Sequence, residues 1–144
     1  MIGLLTIPRN PPSIHHTLFE ERGLMSHIVE IKTQVKDVAA VQAACRRLKL
    51  PEPQQRTVKL FSTEARGLAV QLPDWQYPVV CNTTTGELKY DNYNGRWGWQ
   101  SHIDQFLQAY TVEKAKLEAR RQGHSASEQL LADGSIRLQI AVAG

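Results

Sequence analysis

Seven of the chain's ten aromatic residues fall between Tyr77 and Tyr110, and one arginine sits among them in Asp91-Asn92-Tyr93-Asn94-Gly95-Arg96-Trp97-Gly98-Trp99. Aromatic faces beside a guanidinium can stack bases or anchor a protein partner, because large rigid rings bind at little entropic cost. Tyr90, Tyr93, Trp97 and Trp99 with Arg96 are therefore the leading candidates for function. The competing reading is structural, with some rings plugging a helix–sheet core and Trp97 and Trp99 on one side of an extended segment. Arg96 has no local partner guaranteed by spacing, so the candidate partner surface centres on Tyr93, Asn94, Arg96 and Trp97.

The other reactive residue types form no motif. His27, His102 and His124 lie in no His-x-x-x-His or mixed Cys/His arrangement, which points to structural or surface histidines. Asp74, Asp91, Asp104 and Glu128 offer no carboxylate pair whose spacing predicts a shared acid–base site. Thr83-Thr84-Thr85-Gly86 reads as a turn and lacks the Gly-x-x-x-x-Gly-Lys pattern of a phosphate cradle; no serine sits in a Gly-x-Ser-x-Gly elbow. Cys45 and Cys81 are too far apart for a Cys-x-x-Cys site and read as buried free thiols, which suits a reducing, cytoplasmic setting. The expectation is no catalytic residue, no metal and no cofactor.

The elements that must position these residues follow from periodicity. Val29, Ile31, Thr33 and Val35 alternate with polar residues and predict a strand. Asp37 suits an N-cap, and Val38, Val41, Ala44, Cys45 and Leu48 predict the helix after it. Arg46, Arg47 and Lys49 near its end are explained by the helix dipole. Val58 with Leu60, then Leu68, Val70 and Leu72, predict strands separated by a polar turn around Glu64 to Gly67. Tyr77 to Cys81 and Leu88 with Tyr90 predict a hairpin across Gly86.

Ser101 and Asp104 resemble a capping box, opening a second helix whose buried stripe is Ile103, Phe106, Leu107 and Tyr110. Its distal half, Glu113 to Arg121, reads as mostly solvated, with Gly123 as the left-handed terminator. Asp133-Gly134 predicts a two-residue hairpin loop, followed by a strand with Ile136, Leu138, Ile140 and Val142 facing inward. The fold class is α+β: a mainly antiparallel sheet, two helices on one face and a C-terminal β-hairpin.

At 144 residues, with 42% hydrophobic and 22% charged side chains, the chain suits one soluble domain. Its net charge of +3 is compatible with acidic partners but argues for none. No run is apolar enough to predict a membrane span. Met1 to Leu24 carries Pro8, Pro11 and Pro12 and no sustained period. The expected organisation is residues 1–24 as a disordered tail or mis-annotated start, with Met25 as initiator, and 25–144 as a single domain.

Met25-Ser26-His27 and Ile31-Lys32-Thr33-Gln34, then Phe106-Leu107, Tyr110, Gln122-Gly123, Glu128-Gln129 and Asp133-Gly134-Ser135-Ile136-Arg137-Leu138, resemble a conserved-hypothetical family of cyanobacteria and algal plastids. It is the plastid hypothetical reading frame thirty-five family, or domain of unknown function twelve fifty-seven. The likeness spans Met25 to about Val142 and is strongest at both ends. From Pro51 to Trp99 the chain departs from the plastid pattern and looks closer to bacterial members outside that lineage. The resemblance implies a family and no reaction.

Together these features predict a small non-enzymatic interaction or adaptor protein with a protein partner. The alternative is a single-stranded nucleic-acid binder using the same aromatics with Arg46, Arg47 and Lys49; a small-ligand enzyme comes third. Steep salt dependence would mark the nucleic-acid reading, since phosphate contacts release counterions.

Overall fold

The computed structural model describes residues 2–9, 15–21, 24–61, 63–91 and 98–142. The elements run β1 (Ile2–Ile7), β2 (His15–Glu21), β3 (Leu24–Lys32), α1 (Val38–Arg47), β4 (Gln54–Lys59), β5 (Glu64–Val70), β6 (Val79–Asn82), β7 (Glu87–Asp91), α2 (Gln100–Arg121), β8 (Ser125–Leu130) and β9 (Ile136–Ala141). The fold is α+β, with two antiparallel sheets where the sequence predicts one. Six strands pair in the order β2-β3-β7-β6-β5-β4, and three in the order β1-β9-β8.

α2 explains the second sheet. One side of it packs Ile103, Phe106, Leu107 and Tyr110 in a common core with Val41, Ala44 and Cys45 of α1 and with Leu68, Val70, Val79, Cys81, Leu88 and Tyr90 of the large sheet. Its other side places Val112 and Ala115 against Ile7, Ile136 and Leu138 of the small sheet. Both helices serve the large sheet's core, and α2 also carries a second sheet. A helix buried on two sides loses the single apolar stripe that a sequence reading looks for. The far face of the large sheet holds its own small cluster of Val58, Leu60, Ala65, Ala69 and Val80.

Several local expectations hold. The Asp37 carboxylate accepts from the Ala40 amide at 3.2 Å and caps α1. In the β6–β7 turn, the Asn82 Oδ1 accepts from the Thr84 and Thr85 amides. Gly86 there has φ +85°, and a Cβ would lie 2.6 Å from the Thr33 carbonyl oxygen, so the turn requires glycine. Cys45 and Cys81 are buried free thiols.

Other expectations change. Glu64 to Gly67 lies within β5; the turn precedes it, closed by the Leu60 amide donating to the Thr63 carbonyl at 2.7 Å. Arg66 and Glu64 make the strand look turn-like because they occupy its exposed row, while Ala65 is buried in the other. The β8–β9 loop is one residue longer than expected. The Gly134 amide bonds the Leu131 carbonyl, the Leu131 amide bonds the Ser135 carbonyl, and Gly134 has φ +88°. That is a three-residue loop, a type I turn followed by a left-handed glycine.

Residues 1–24, expected to stand outside the domain, enter both sheets at two strands. β1 pairs with β9 from Ile2↔Ala141 to Ile7↔Ile136, and β2 pairs with β3. Ile7 is buried, and the Gln108 amide group donates to its carbonyl at 3.4 Å and to that of Gly134 at 2.8 Å. The partner of β1 lies over a hundred residues away in sequence, so no local period announces the strand. Deleting residues 1–24 is expected to lower stability by about 2–4 kcal/mol, from the exposure of Ile7 and loss of the edge ladder. Urea unfolding of the two lengths checks this; equal midpoints would show that β1 adds nothing to the core.

The distal half of α2, expected to be mostly solvated, is instead clamped by ion pairs. Arg47 forms a fork with Glu128 at 2.7 and 2.6 Å and reaches Glu113 at 3.3 Å. Lys116 meets the same Glu128 at 2.7 Å. A second group ties Asp37 to Lys114 at 3.0 Å and to Arg121 at 3.1 Å, with Glu118 bridging both cations. Arg47 thus joins α1 to α2 and β8, which the dipole argument alone does not reveal. Glu113 is buried despite its charge, since Arg47 and Lys116 neutralise it.

Glu128 makes this clamp sensitive to acid. The hydrogen bond from Arg47 lowers its pKa from 4.5 to about 2, against the cost of burial and with help from Lys116. A carboxylate depressed in the folded state stabilises fully above its unfolded pKa. That stability is lost as pH falls from about 4.5 towards 2. Glu128→Gln should cost on the order of 1 kcal/mol at neutral pH and flatten the decline in Tm across this window. Melting curves of both proteins from pH 6 down to about pH 2 test the sign.

Candidate functional site

α2 begins at Gln100, one residue before the Ser101 expected to cap it. Trp99 occupies the N-cap position in an extended conformation, with no side-chain cap, and the His102 amide bonds its carbonyl at 3.0 Å. Ser101 therefore lies inside the first turn and makes no capping box.

This geometry leaves the Trp99 ring at the mouth of the helix. It is 71% exposed, yet it stacks on His102 with ring centroids 6.4 Å apart and planes 14° from parallel. The position three residues along a helix is the natural neighbour for such a contact. His102 is itself fixed from behind, because its Nδ1 accepts from the Trp75 indole Nε1 at 3.2 Å. The neutral ring then carries its proton on Nε2.

Trp75 is the buried anchor. It meets Tyr90 edge-on at 5.4 Å and 73°, and the Tyr90 hydroxyl donates to the Gln100 Oε1 at 3.1 Å. Burial pushes the Tyr90 hydroxyl pKa up to about 12, so this donor stays protonated. Gly98 lies flat on the indole: a Cβ there would come within 2.2 Å of the Trp75 ring. The Gln71 side chain donates to the Leu72 and Trp75 carbonyls at 3.1 and 2.9 Å, holding the loop that presents Trp75. In that loop Asp74 adopts φ +59°, a left-handed conformation that aspartate tolerates better than most residues.

Pro73, Asp74, Gly98, Trp99 and His102 line an open cleft of about 240 Å³. The described lining offers an aromatic face, an imidazole and a carboxylate, a set suited to binding. The thiols are remote from nucleophilic chemistry. Burial pushes the Cys45 pKa up to about 11 and raises that of Cys81 as well, so neither supplies a thiolate at neutral pH. Among the described residues, no three of His, Cys, Asp and Glu gather as a metal-holding group, and no helix is long and apolar enough to cross a membrane.

The aromatic candidates divide between core and surface. Tyr90 is a core residue, whereas Trp99 reaches the cleft. Tyr93, Asn94, Arg96 and Trp97 lie outside the described residues. Of the cations considered for nucleic acid, Arg47 is spent on Glu113 and Glu128, while Arg46 and Lys49 are exposed. Trp75, Pro73 and His102 form the site's unforeseen part. The signal for Trp75 is faint: an isolated tryptophan after Pro73-Asp74, outside any periodic run.

Comparison of the chain with models of protein families, with curated proteins and with solved structures finds no match in any of the three.

Proposed function

We propose that the protein is a non-enzymatic interaction module that docks a protein partner at the Trp99 corner of the α2 N-terminus. The observation that carries this reading is a tryptophan 71% exposed yet held in place by His102 and, through it, by Trp75. A preordered exposed tryptophan loses little entropy on binding, and tryptophan and arginine are the residues most enriched at interface hot spots. Tyr93, Asn94, Arg96 and Trp97 precede Trp99 directly in the chain and complete the proposed surface. Cytoplasmic residence is part of the same reading. So is kinship with the plastid reading frame thirty-five family, which rests on the residues that carry the resemblance.

Nucleic-acid binding is the weaker reading, because the Arg47 guanidinium is taken up by two carboxylates. Affinity capture from native cells tests the proposal directly. Trp99→Ala and Arg96→Ala should each weaken recovery of a saturable protein partner by about 1–2 kcal/mol, roughly 5- to 30-fold, with Tm of Trp99→Ala unchanged. Recovery equal to wild type for both variants would refute docking at this corner. A captured species that dissociates steeply with salt and contains nucleic acid would favour the other reading.

A further inference from the structure

The cleft beside Trp99 has a chemistry that narrows its occupant. Among the described residues that line it, Asp74 carries the only formal negative charge, and no lysine or arginine stands beside it. Among the described residues, no cation pairs with Asp74. Trp99 adds an exposed indole face, the best of the aromatic surfaces for a cation. His102 stacks against that ring, and its Nδ1 is occupied by the hydrogen bond it accepts from the Trp75 indole N–H.

We propose that this cleft receives an arginine side chain of the docked partner, with the guanidinium stacked on Trp99 and paired with Asp74. The proposal rests on the docking reading above and supplies its specificity. A planar guanidinium suits both contacts at once, because it stacks on aromatic faces and forks onto carboxylates, whereas a lysine ammonium offers only a point charge. The positive end of the α2 dipole opposes any cation here. At an exposed site that opposition amounts to about two- to fivefold in affinity. The cation–π contact and the exposed ion pair each favour binding by a comparable or larger factor, so together they prevail.

The volume agrees with a single side chain. About 240 Å³ accommodates a single side chain, and an open cleft admits one from above. Asp74 also has a clean control. Asparagine tolerates the left-handed region as aspartate does, so Asp74→Asn removes the charge without straining the loop.

The experiment titrates acetyl-Gly-Arg-Gly-amide into the isotope-labelled full-length protein and follows the Gly98 and His102 backbone amide resonances. Saturable shifts with a dissociation constant on the order of millimolar are expected. Asp74→Asn and Trp99→Ala should each weaken binding about tenfold, the lysine analogue should bind less well, and acetyl-Gly-Glu-Gly-amide should leave both resonances in place. Tightness unchanged in Asp74→Asn, binding of the glutamate peptide, or no shift with the arginine peptide would each overturn the assignment. The two readings fail separately. If the arginine peptide leaves the protein untouched while Trp99→Ala still loses its captured partner, docking stands and the arginine occupant falls. If neither Trp99→Ala nor Arg96→Ala costs the partner anything, docking falls even where the peptide titration succeeds.

Discussion

Leu138→Asp is expected to unfold the protein, whereas Arg137→Ala, one position earlier, should change stability by no more than about 0.5 kcal/mol. Leu138 is fully buried and packs with Ile7, Val112 and Ile136 between the small sheet and α2. A carboxylate there would be ionised in an apolar seam with no cation beside it, or would be protonated at a cost of several pKa units. Either outcome removes at least about 4 kcal/mol, much of the 5–15 kcal/mol that holds a typical domain folded. Arg137 points the other way, to the exposed row of the same strand. Circular dichroism melts of the two variants decide the matter. Equal tolerance would mean that the small sheet does not close over α2.

Trp75→Ala should cost about 3–5 kcal/mol, as expected for deleting a fully packed indole. The effect reaches the surface, because Trp75 supports the Tyr90 ring on one side and holds His102 through its indole N–H. Trp75→Phe separates the two roles. It keeps most of the apolar area but loses the hydrogen bond to His102, a loss of about 1 kcal/mol. Gly98→Ala attacks the same packing from the backbone side, since its methyl group would overlap the indole; about 1–3 kcal/mol is expected. Chemical denaturation gives all three values. A Trp75→Ala protein as stable as wild type, with the His102 ring resonance unmoved, would disprove the support assigned to Trp75.

Several elements could be read from local sequence because their physics is local. Asp37 caps α1 through its own side chain, Gly86 and Gly134 satisfy turns that need positive φ, and Leu138 alternates with Arg137 whatever sheet it joins. The apolar stripe of the proximal half of α2 is likewise a matter of 3.6-residue spacing, and Ile103, Phe106, Leu107 and Tyr110 are all buried. Fold class follows from such signals taken in order. The aromatic concentration before α2 includes the exposed Trp99, whereas Tyr93, Asn94, Arg96 and Trp97 lie outside the described residues.

What tertiary structure alone decided is everything that depends on partners distant in the chain. β1 is a strand because β9 pairs with it, and the charged end of α2 is half-buried because Arg47 and Asp37 reach across to its side chains. Glu113 looks like a solvent residue in a charged run, yet burial becomes affordable only when Arg47 and Lys116 converge on it. The cleft depends on the same kind of meeting, with Pro73 and Asp74 from one loop and Gly98, Trp99 and His102 from the start of α2. The sequence by itself determined periodicity, caps and turns, since each of these is settled within a few residues by backbone geometry and side-chain spacing. Which faces were covered, which charges were paired, and that Trp75 was buried while Trp99 stayed exposed were decided by long-range packing, where the free energy belongs to contacts that no local window contains.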